Sequence, residues 1–154
     1  MGFRKAVNAT QELSGAYCSG IRALAEVDRN RIECLQTRRL RGSVNLETTL
    51  RDYYPNEPIW DYGVGWRVDT KNDCAVWIEV HPASSGHVDS VINKVKWLKI
   101  WLQTSAPALS SLTRGNDGYV WIASGRVLFQ RTSRQARQLA AAGVSFTRER
   151  FILA

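Results

Sequence analysis

The feature that most constrains the fold is a pair of strand-like segments separated by a short polar turn. Residues 59–69 and 74–80 are rich in β-branched and aromatic side chains. The sequence Lys71-Asn72-Asp73 between them is typical of a tight turn. The two segments are therefore predicted to form an antiparallel hairpin, so the fold must contain a sheet.

A long amphipathic helix is predicted directly after this hairpin. Pro82 to Gly86 closes the hairpin, and residues 87–103 have an apolar stripe at helical spacing. The stripe consists of Val88, Val91, Ile92, Val95, Leu98, Trp101 and Leu102. Alternation along residues 74–80 places Val76, Ile78 and Val80 on one face. We expect the helix to pack on that aliphatic face.

The remaining elements are assigned from periodicity and from glycine and proline breaks. Helices are predicted over residues 11–28, 45–53 and 134–142, and strands over residues 119–123, 127–130 and 145–153. Residues 31–36 fit either an extension of the first helix or a short strand. This order predicts a single domain over residues 1–154, of α/β or α+β class, with a mixed central sheet flanked by helices.

Composition excludes several classes of protein. The 154 residues are 44% hydrophobic and 23% charged, which are values of a globular domain. Cys18, Cys34 and Cys74 are odd in number and lack the spacing of a zinc site, so they favour a reducing, cytoplasmic environment. No apolar run reaches the roughly 18 residues of a membrane span, so no membrane partner is expected.

The charge is strongly positive and unevenly distributed. The formal net charge is +7, and arginines are frequent near residue 40 and in the last third of the chain. The candidate nucleic-acid-binding residues are Arg38, Arg39, Arg41, Arg134 and Arg137. Guanidinium groups match phosphate oxygens, so nucleic acid is a candidate partner. A basic surface that serves solubility alone is the alternative.

Two carboxylates and a histidine are predicted to converge on the hairpin. Glu79 and His81 share one face of their strand, and Asp61 shares a face with Gly63 and Gly65 on the partner strand. A turn centred near residue 71 places Asp61 opposite His81, close to Glu79. The two glycines are expected to leave space beside the carboxylate. Carboxylate oxygens with this space suit Mg²⁺ or Mn²⁺.

The pattern of Asp61 followed by Glu79-Val80-His81 resembles the PD-(D/E)XK nuclease-like superfamily over about residues 12–124. The resemblance implies a restriction-endonuclease-like core, metal ligation by Asp61 and Glu79, and metal-assisted hydrolysis of phosphodiesters. Trp60, rather than proline, precedes Asp61. The lysine of the family is His81 here.

In some members of the superfamily a basic residue of the following helix replaces that lysine. Lys94 and Lys99 are the candidates in this chain, and His81 is itself a candidate ligand or base. The catalytic set implied by the resemblance is therefore Asp61, Glu79 and His81 with Lys94.

Several alternatives remain open from sequence. Glu79 could form a structural ion pair with Arg67 or Lys99, and Asp61 could pair with an arginine. Glu79, His81 and His87 could form a three-ligand transition-metal site. The protein could also be a catalytically inactive module of the same fold that binds nucleic acid or a protein partner, including a second copy of itself.

Overall fold

The computed structural model describes residues 1–126 and 133–154. The helices are α1 (Phe3–Asn8), α2 (Glu26–Arg29), α3 (Leu46–Leu50), α4 (Ser85–Ser105), α5 (Pro107–Leu112) and α6 (Arg134–Ala141). The strands are β1 (Ile32–Cys34), β2 (Leu40–Asn45), β3 (Tyr62–Arg67), β4 (Asp73–Pro82), β5 (Tyr119–Ser124), β6 (Val144–Arg148) and β7 (Phe151–Leu153). The strand predicted over residues 127–130 lies outside the described residues.

The centre of the fold is a five-stranded mixed sheet in the order β2-β3-β4-β5-β6. The first three strands are antiparallel neighbours, whereas β4, β5 and β6 run parallel. The long helix α4 lies between β4 and β5 in the chain, as a parallel crossover requires. Strands β1 and β7 form a separate parallel pair. The predicted α/β class with a mixed sheet is therefore confirmed.

The predicted hairpin is formed by β3 and β4, but its register differs from the expected one. Arg67 faces Asp73 and Tyr62 faces Ile78, so the turn is centred on residue 70. The side chain of Asp69 stabilises this turn by accepting hydrogen bonds from the backbone N–H groups of residues 71 and 72. When the centre of the turn moves by one residue, the cross-strand partner of every strand residue moves by two. Asp61 therefore faces Glu79, and its predicted position opposite His81 is wrong.

Helix α4 packs on the opposite face of β4 from the one predicted. Its buried residues share a core with Ala75, Trp77 and Trp121, whereas Val76 and Ile78 belong to a second core on the other face. Both faces of β4 are buried, because the segments before β2 and the β1–β7 pair cover the second face. Alternation thus identified the two faces but not which one receives the helix.

The first predicted helix, over residues 11–28, is wrong. The chain there forms a short 3-10 turn at Gln11–Leu13, a series of turns, and α2. Gly15 and Gly20 have φ angles of 75° and 56°, in the left-handed region that a right-handed helix cannot contain. The N-terminal helix α1 was not predicted.

Other boundaries differ less. Residues 31–36 contain the strand β1, and residues 45–53 contain α3, whose first turn is capped by the side chain of Asn45. The predicted last strand is two strands, β6 and β7, because Glu149 between them has a φ of 61°. In the described ranges, no helix is long and apolar enough to cross a membrane.

Candidate functional site

Asp61 and Glu79 face each other across the hairpin, one residue beyond the paired part of β3. The backbone N–H of Asp61 donates to Oε1 of Glu79 at 3.0 Å. The backbone N–H of Val80 donates to Oδ2 of Asp61, also at 3.0 Å. Each carboxyl group is thus fixed by the backbone of the opposite strand, which confirms that the two residues lie together.

Lys94 reaches this pair from helix α4. Its Nζ lies 2.5 Å from Oε2 of Glu79, whose side chain is completely buried. This contact exists because α4 packs on the face of the sheet that carries Glu79. Lys99, the other candidate, donates to the carbonyl oxygen of Ala142 at 2.7 Å and lies over the ring of Tyr119. We call Asp61, Glu79 and Lys94 the acidic end of the hairpin.

The alternative ion pairs of Glu79 are not formed. Arg67 lies at the turn of the hairpin, where it donates to Asp73. Lys99 bonds to α6, as described above. Glu79 is therefore paired, but its partner is Lys94.

The loop before β3 holds Asp61 in place. Ile59 and Trp60 are fully buried, so the chain enters the strand from a fixed position. The carbonyl oxygen of Asp61 accepts hydrogen bonds from the backbone N–H groups of Leu46 (2.8 Å) and Glu47 (3.3 Å). These two groups lie in the first turn of α3 and have no partner inside the helix. The start of α3 is thereby tied to the acidic end.

The glycines of β3 do not open space beside Asp61, contrary to expectation. A Cβ atom added at Gly63 would overlap the ring of Trp77, and one added at Gly65 would overlap the ring of Phe3. The space above β3 is therefore filled by aromatic rings of the core. These glycines serve close packing rather than ligand access.

Both carboxyl groups have raised pKa values. Burial, followed by the charge of Asp61, raises the pKa of Glu79 to about 8, although the Lys94 ammonium opposes the shift. Burial also raises the pKa of Asp61, with smaller contributions in the same direction from the charges of Asp28 and Glu47. When both carboxyls are ionised they carry two negative charges against the single charge of Lys94. The acidic end therefore favours an additional cation or a proton.

Asp28 and Glu47 are two acidic neighbours that were not predicted from the sequence. Asp28 accepts a hydrogen bond of 2.6 Å from the hydroxyl of Tyr62, and Glu47 forms an ion pair with Arg51 in the next turn. Glu47 could have been found from its place in the first turn of the helix that Asn45 caps. Asp28 could not, because it lies in a segment predicted as a continuous helix.

His81 lies beside another histidine. Its Nδ1 is 3.0 Å from the carbonyl oxygen of Pro82, and its ring centre is 4.5 Å from that of His87. The Nδ1 of His87 accepts a hydrogen bond from the backbone N–H of Ser84. Across residues 1–126 and 133–154, no group of three or more His, Cys, Asp or Glu side chains is placed to hold a metal ion. Neither His81 with the two carboxyls nor Glu79 with the two histidines forms a ready three-ligand set.

The predicted nucleic-acid-binding arginines lie at opposite edges of the sheet. Arg38 and Arg39 immediately precede the edge strand β2, and Arg41 lies on it. Arg134 and Arg137 are exposed on α6, which packs against α4 and the other edge strand, β6. Four strand spacings, about 19 Å, separate the two edges. The arginines therefore do not form one compact patch.

Comparison with known proteins adds no family to this geometry: no protein-family model, curated protein or solved structure matches the chain. The similarity to the PD-(D/E)XK superfamily therefore stays a prediction from the sequence.

Proposed function

We propose that the acidic end binds Mg²⁺ or Mn²⁺ and that the protein is a metal-dependent, nuclease-like enzyme that hydrolyses phosphodiesters in nucleic acid. The observation that carries the proposal is the direct opposition of two carboxyl groups, the half-buried Asp61 and the fully buried Glu79, with a lysine of the following helix at the same point. In the proposal, Lys94 takes the role of the basic residue that the superfamily resemblance implies, in place of His81. The three unpaired cysteines support a cytoplasmic location.

The residues present fit a hard divalent cation. Carboxylate oxygens are the ligands that Mg²⁺ and Mn²⁺ prefer. Among the described residues, Oδ1 of Asp61 has no hydrogen-bond partner, so it is free to act as a ligand. The second ligand would be an oxygen of Glu79. Burial, followed by repulsion from Asp61, raises the pKa of Glu79, and a bound cation would oppose both effects by favouring the ionised carboxylate.

Asp61 and Glu79 would hold the divalent ion, which when bound would lower the pKa of a coordinated water and offset the charge of the phosphate. Asp61 and Glu79 hold their oxygens rigidly, because each is bonded to the backbone of the other strand. The ammonium of Lys94 is mostly buried, with 18% of its side chain exposed, and is positioned to orient water and stabilise negative charge on the phosphate. Arg38, Arg39 and Arg41, with Arg134 and Arg137, would contact the phosphate backbone of the substrate.

A second candidate function is a catalytically inactive module that binds nucleic acid. The observation that favours it is that both oxygens of Glu79 are already engaged, one by the backbone N–H of Asp61 and one by Lys94. A metal ion would therefore compete with Lys94 for Oε2.

A cleavage assay tests the proposal. Single- and double-stranded DNA and RNA would be incubated with the protein and Mg²⁺ or Mn²⁺, and Asp61→Asn, Glu79→Gln and Lys94→Met would be assayed in parallel. Each substitution should reduce cleavage by about 100-fold or more. The matched control is Lys96→Met, which removes an exposed lysine of the same helix.

His81→Ala separates the two candidates for the basic residue. Because His81 lies against His87 rather than Lys94, this variant should retain cleavage within about fivefold of the wild type. Binding of nucleic acid with no metal-dependent cleavage would overturn the enzyme proposal and support the binding module. Calorimetry with Mn²⁺ that shows equal heats for the wild type and Asp61→Asn would contradict the metal site directly.

A further inference from the structure

A basic cleft lies at the other end of the same hairpin. It is an open cleft with a volume of about 560 Å³, lined by the first residues of the chain, the start of β2 and the turn end of β3 and β4. Its charged lining consists of Arg4, Lys5, Arg41, Arg67 and Asp73. Six strand residues, or about 20 Å, separate the cleft from the acidic end.

Asp73 is the only carboxylate that the described residues contribute to this lining, and both of its oxygens already accept hydrogen bonds. Oδ2 of Asp73 accepts a hydrogen bond from the backbone N–H of Phe3 at 2.9 Å. Its Oδ1 accepts one from Nε of Arg67 at 2.5 Å, and Nε of Arg41 lies 3.8 Å away. Asp73 is buried. It therefore holds the guanidinium groups in position and presents little of its negative charge to the cleft. Four cationic side chains against one anionic side chain leave an excess of three positive charges.

Three of the four cations are held in place before any ligand binds. Nη1 of Arg67 donates to the carbonyl oxygen of Thr70, and Nη1 of Arg41 donates to the carbonyl oxygen of Leu40. The guanidinium of Arg4 lies over the ring of Tyr17, 5.1 Å from its centre. Little side-chain entropy would therefore be lost when an anion enters.

Donor groups remain unsatisfied in the cleft. Nε of Arg41 is buried and has no hydrogen-bond partner among the described residues. Among the described residues, Nη2 of Arg67 and the ammonium of the exposed Lys5 have no protein acceptor either, so they are available to a ligand. A buried charged donor without an acceptor is costly, so the arrangement favours an anion with several acceptor oxygens.

We propose that this cleft binds a phosphate group. Guanidinium forks bind tetrahedral oxyanions through paired hydrogen bonds, and an excess of three positive charges suits the charge of a phosphate better than that of a single carboxylate. The phosphate belongs either to a nucleic-acid strand or to a small phosphorylated molecule. The proposal does not depend on the acidic end being an enzyme.

Calorimetric titration with inorganic phosphate, at constant ionic strength, tests the cleft. The Arg4→Gln, Lys5→Gln double variant removes two exposed side chains, so the fold should be retained. The matched control is Arg22→Gln, Lys96→Gln, which removes one arginine and one lysine from exposed positions outside the cleft lining. The cleft variant should weaken phosphate binding by about tenfold or more, and the control should change it by less than about twofold.

Competition with two further probes identifies the source of the phosphate. If a short single-stranded oligonucleotide displaces inorganic phosphate at a lower concentration than a mononucleotide does, the cleft binds the phosphates of a nucleic-acid strand. The reverse order supports a small phosphorylated ligand, and either order supports the site. Absence of phosphate binding, or equal weakening in both double variants, would overturn the proposal. Neither result would bear on metal binding by Asp61 and Glu79.

Discussion

The two ends of the β3–β4 hairpin differ in the charges that face each other. At the turn end, Arg67 faces Asp73 and the two form an ion pair. At the other end, Asp61 faces Glu79, so two groups of like charge are opposed. Opposite charges across a strand pair stabilise a sheet, whereas like charges destabilise it. The Arg67–Asp73 pair is explained by folding alone, and the Asp61–Glu79 pair is not.

This difference indicates what each end is for. Lys94 offsets only part of the negative charge at the acidic end, and two of the four cations of the basic cleft, Arg4 and Lys5, have no carboxylate partner in the described part of the chain. With all groups ionised, each end thus has an unbalanced charge, negative at the acidic end and positive at the cleft, and below a pH of about 8 a proton on Glu79 removes the imbalance at the acidic end. We infer that each imbalance is matched by a ligand, a cation at the acidic end and a phosphate at the cleft.

The largest expected effect is the contribution of Glu79 to the pH dependence of the free energy of unfolding. Its pKa is raised from 4.5 to about 8 in the folded protein. Between these pH values the folded state binds one proton more than the unfolded state, so the free energy of unfolding should fall as the pH rises from 5 to 8. The fall attributable to this group is on the order of 4 kcal/mol. Urea unfolding at several pH values, without divalent ions, measures it.

Glu79→Gln should remove most of this pH dependence, because glutamine does not titrate. The control Glu57→Gln, which changes an exposed residue, should keep it. An unchanged pH dependence in Glu79→Gln would mean that Glu79 remains ionised beside Lys94 throughout this range. The acidic end would then be a simple ion pair like the turn end.

The second prediction compares equivalent substitutions at the two ends. Asp73→Asn leaves two arginines near a neutral side chain and should destabilise the protein by about 3 kcal/mol. Asp61→Asn removes a repulsion and keeps an oxygen that can accept from Val80, so its stability should lie within about 1 kcal/mol of the wild type. Urea unfolding at pH 8 in the presence of a chelator measures both. Equal losses of stability would show that the two carboxylates have the same structural role.

The sequence predicts the elements of the site better than its geometry. The hairpin, the acid pair and the amphipathic helix follow from alternation and helical spacing, which are local signals. Whether Lys94 or Lys99 reaches Glu79 depends on the face of the sheet that α4 covers. That choice depends on residues distant in sequence, such as Phe3, which packs on β3 from the N-terminal helix.

The register error has a similar cause. The prediction that Asp61 and Glu79 are neighbours was correct. Their direct opposition, however, requires the turn to be centred on residue 70. The side chain of Asp69 fixes that centre through hydrogen bonds to the two N–H groups that follow the turn. A strand pattern alone contains no information about a shift of one residue in the turn.

The third and smallest expected effect concerns the part of the hairpin that separates the two ends. A methyl group at Gly65 would overlap the ring of Phe3, whose backbone N–H binds Asp73. Gly65→Ala should therefore destabilise the protein by about 2 kcal/mol through overpacking, and it should weaken phosphate binding in the cleft because Arg4 and Lys5 belong to the same helix as Phe3.

The control is Gly115→Ala, where an added Cβ has no neighbour within 4 Å. Thermal unfolding and phosphate calorimetry measure the two effects. Since the acidic end is held by α3, β4 and α4 rather than by α1, Mn²⁺ binding should be unchanged in Gly65→Ala, and a parallel loss of both ligands would show that the two ends are coupled.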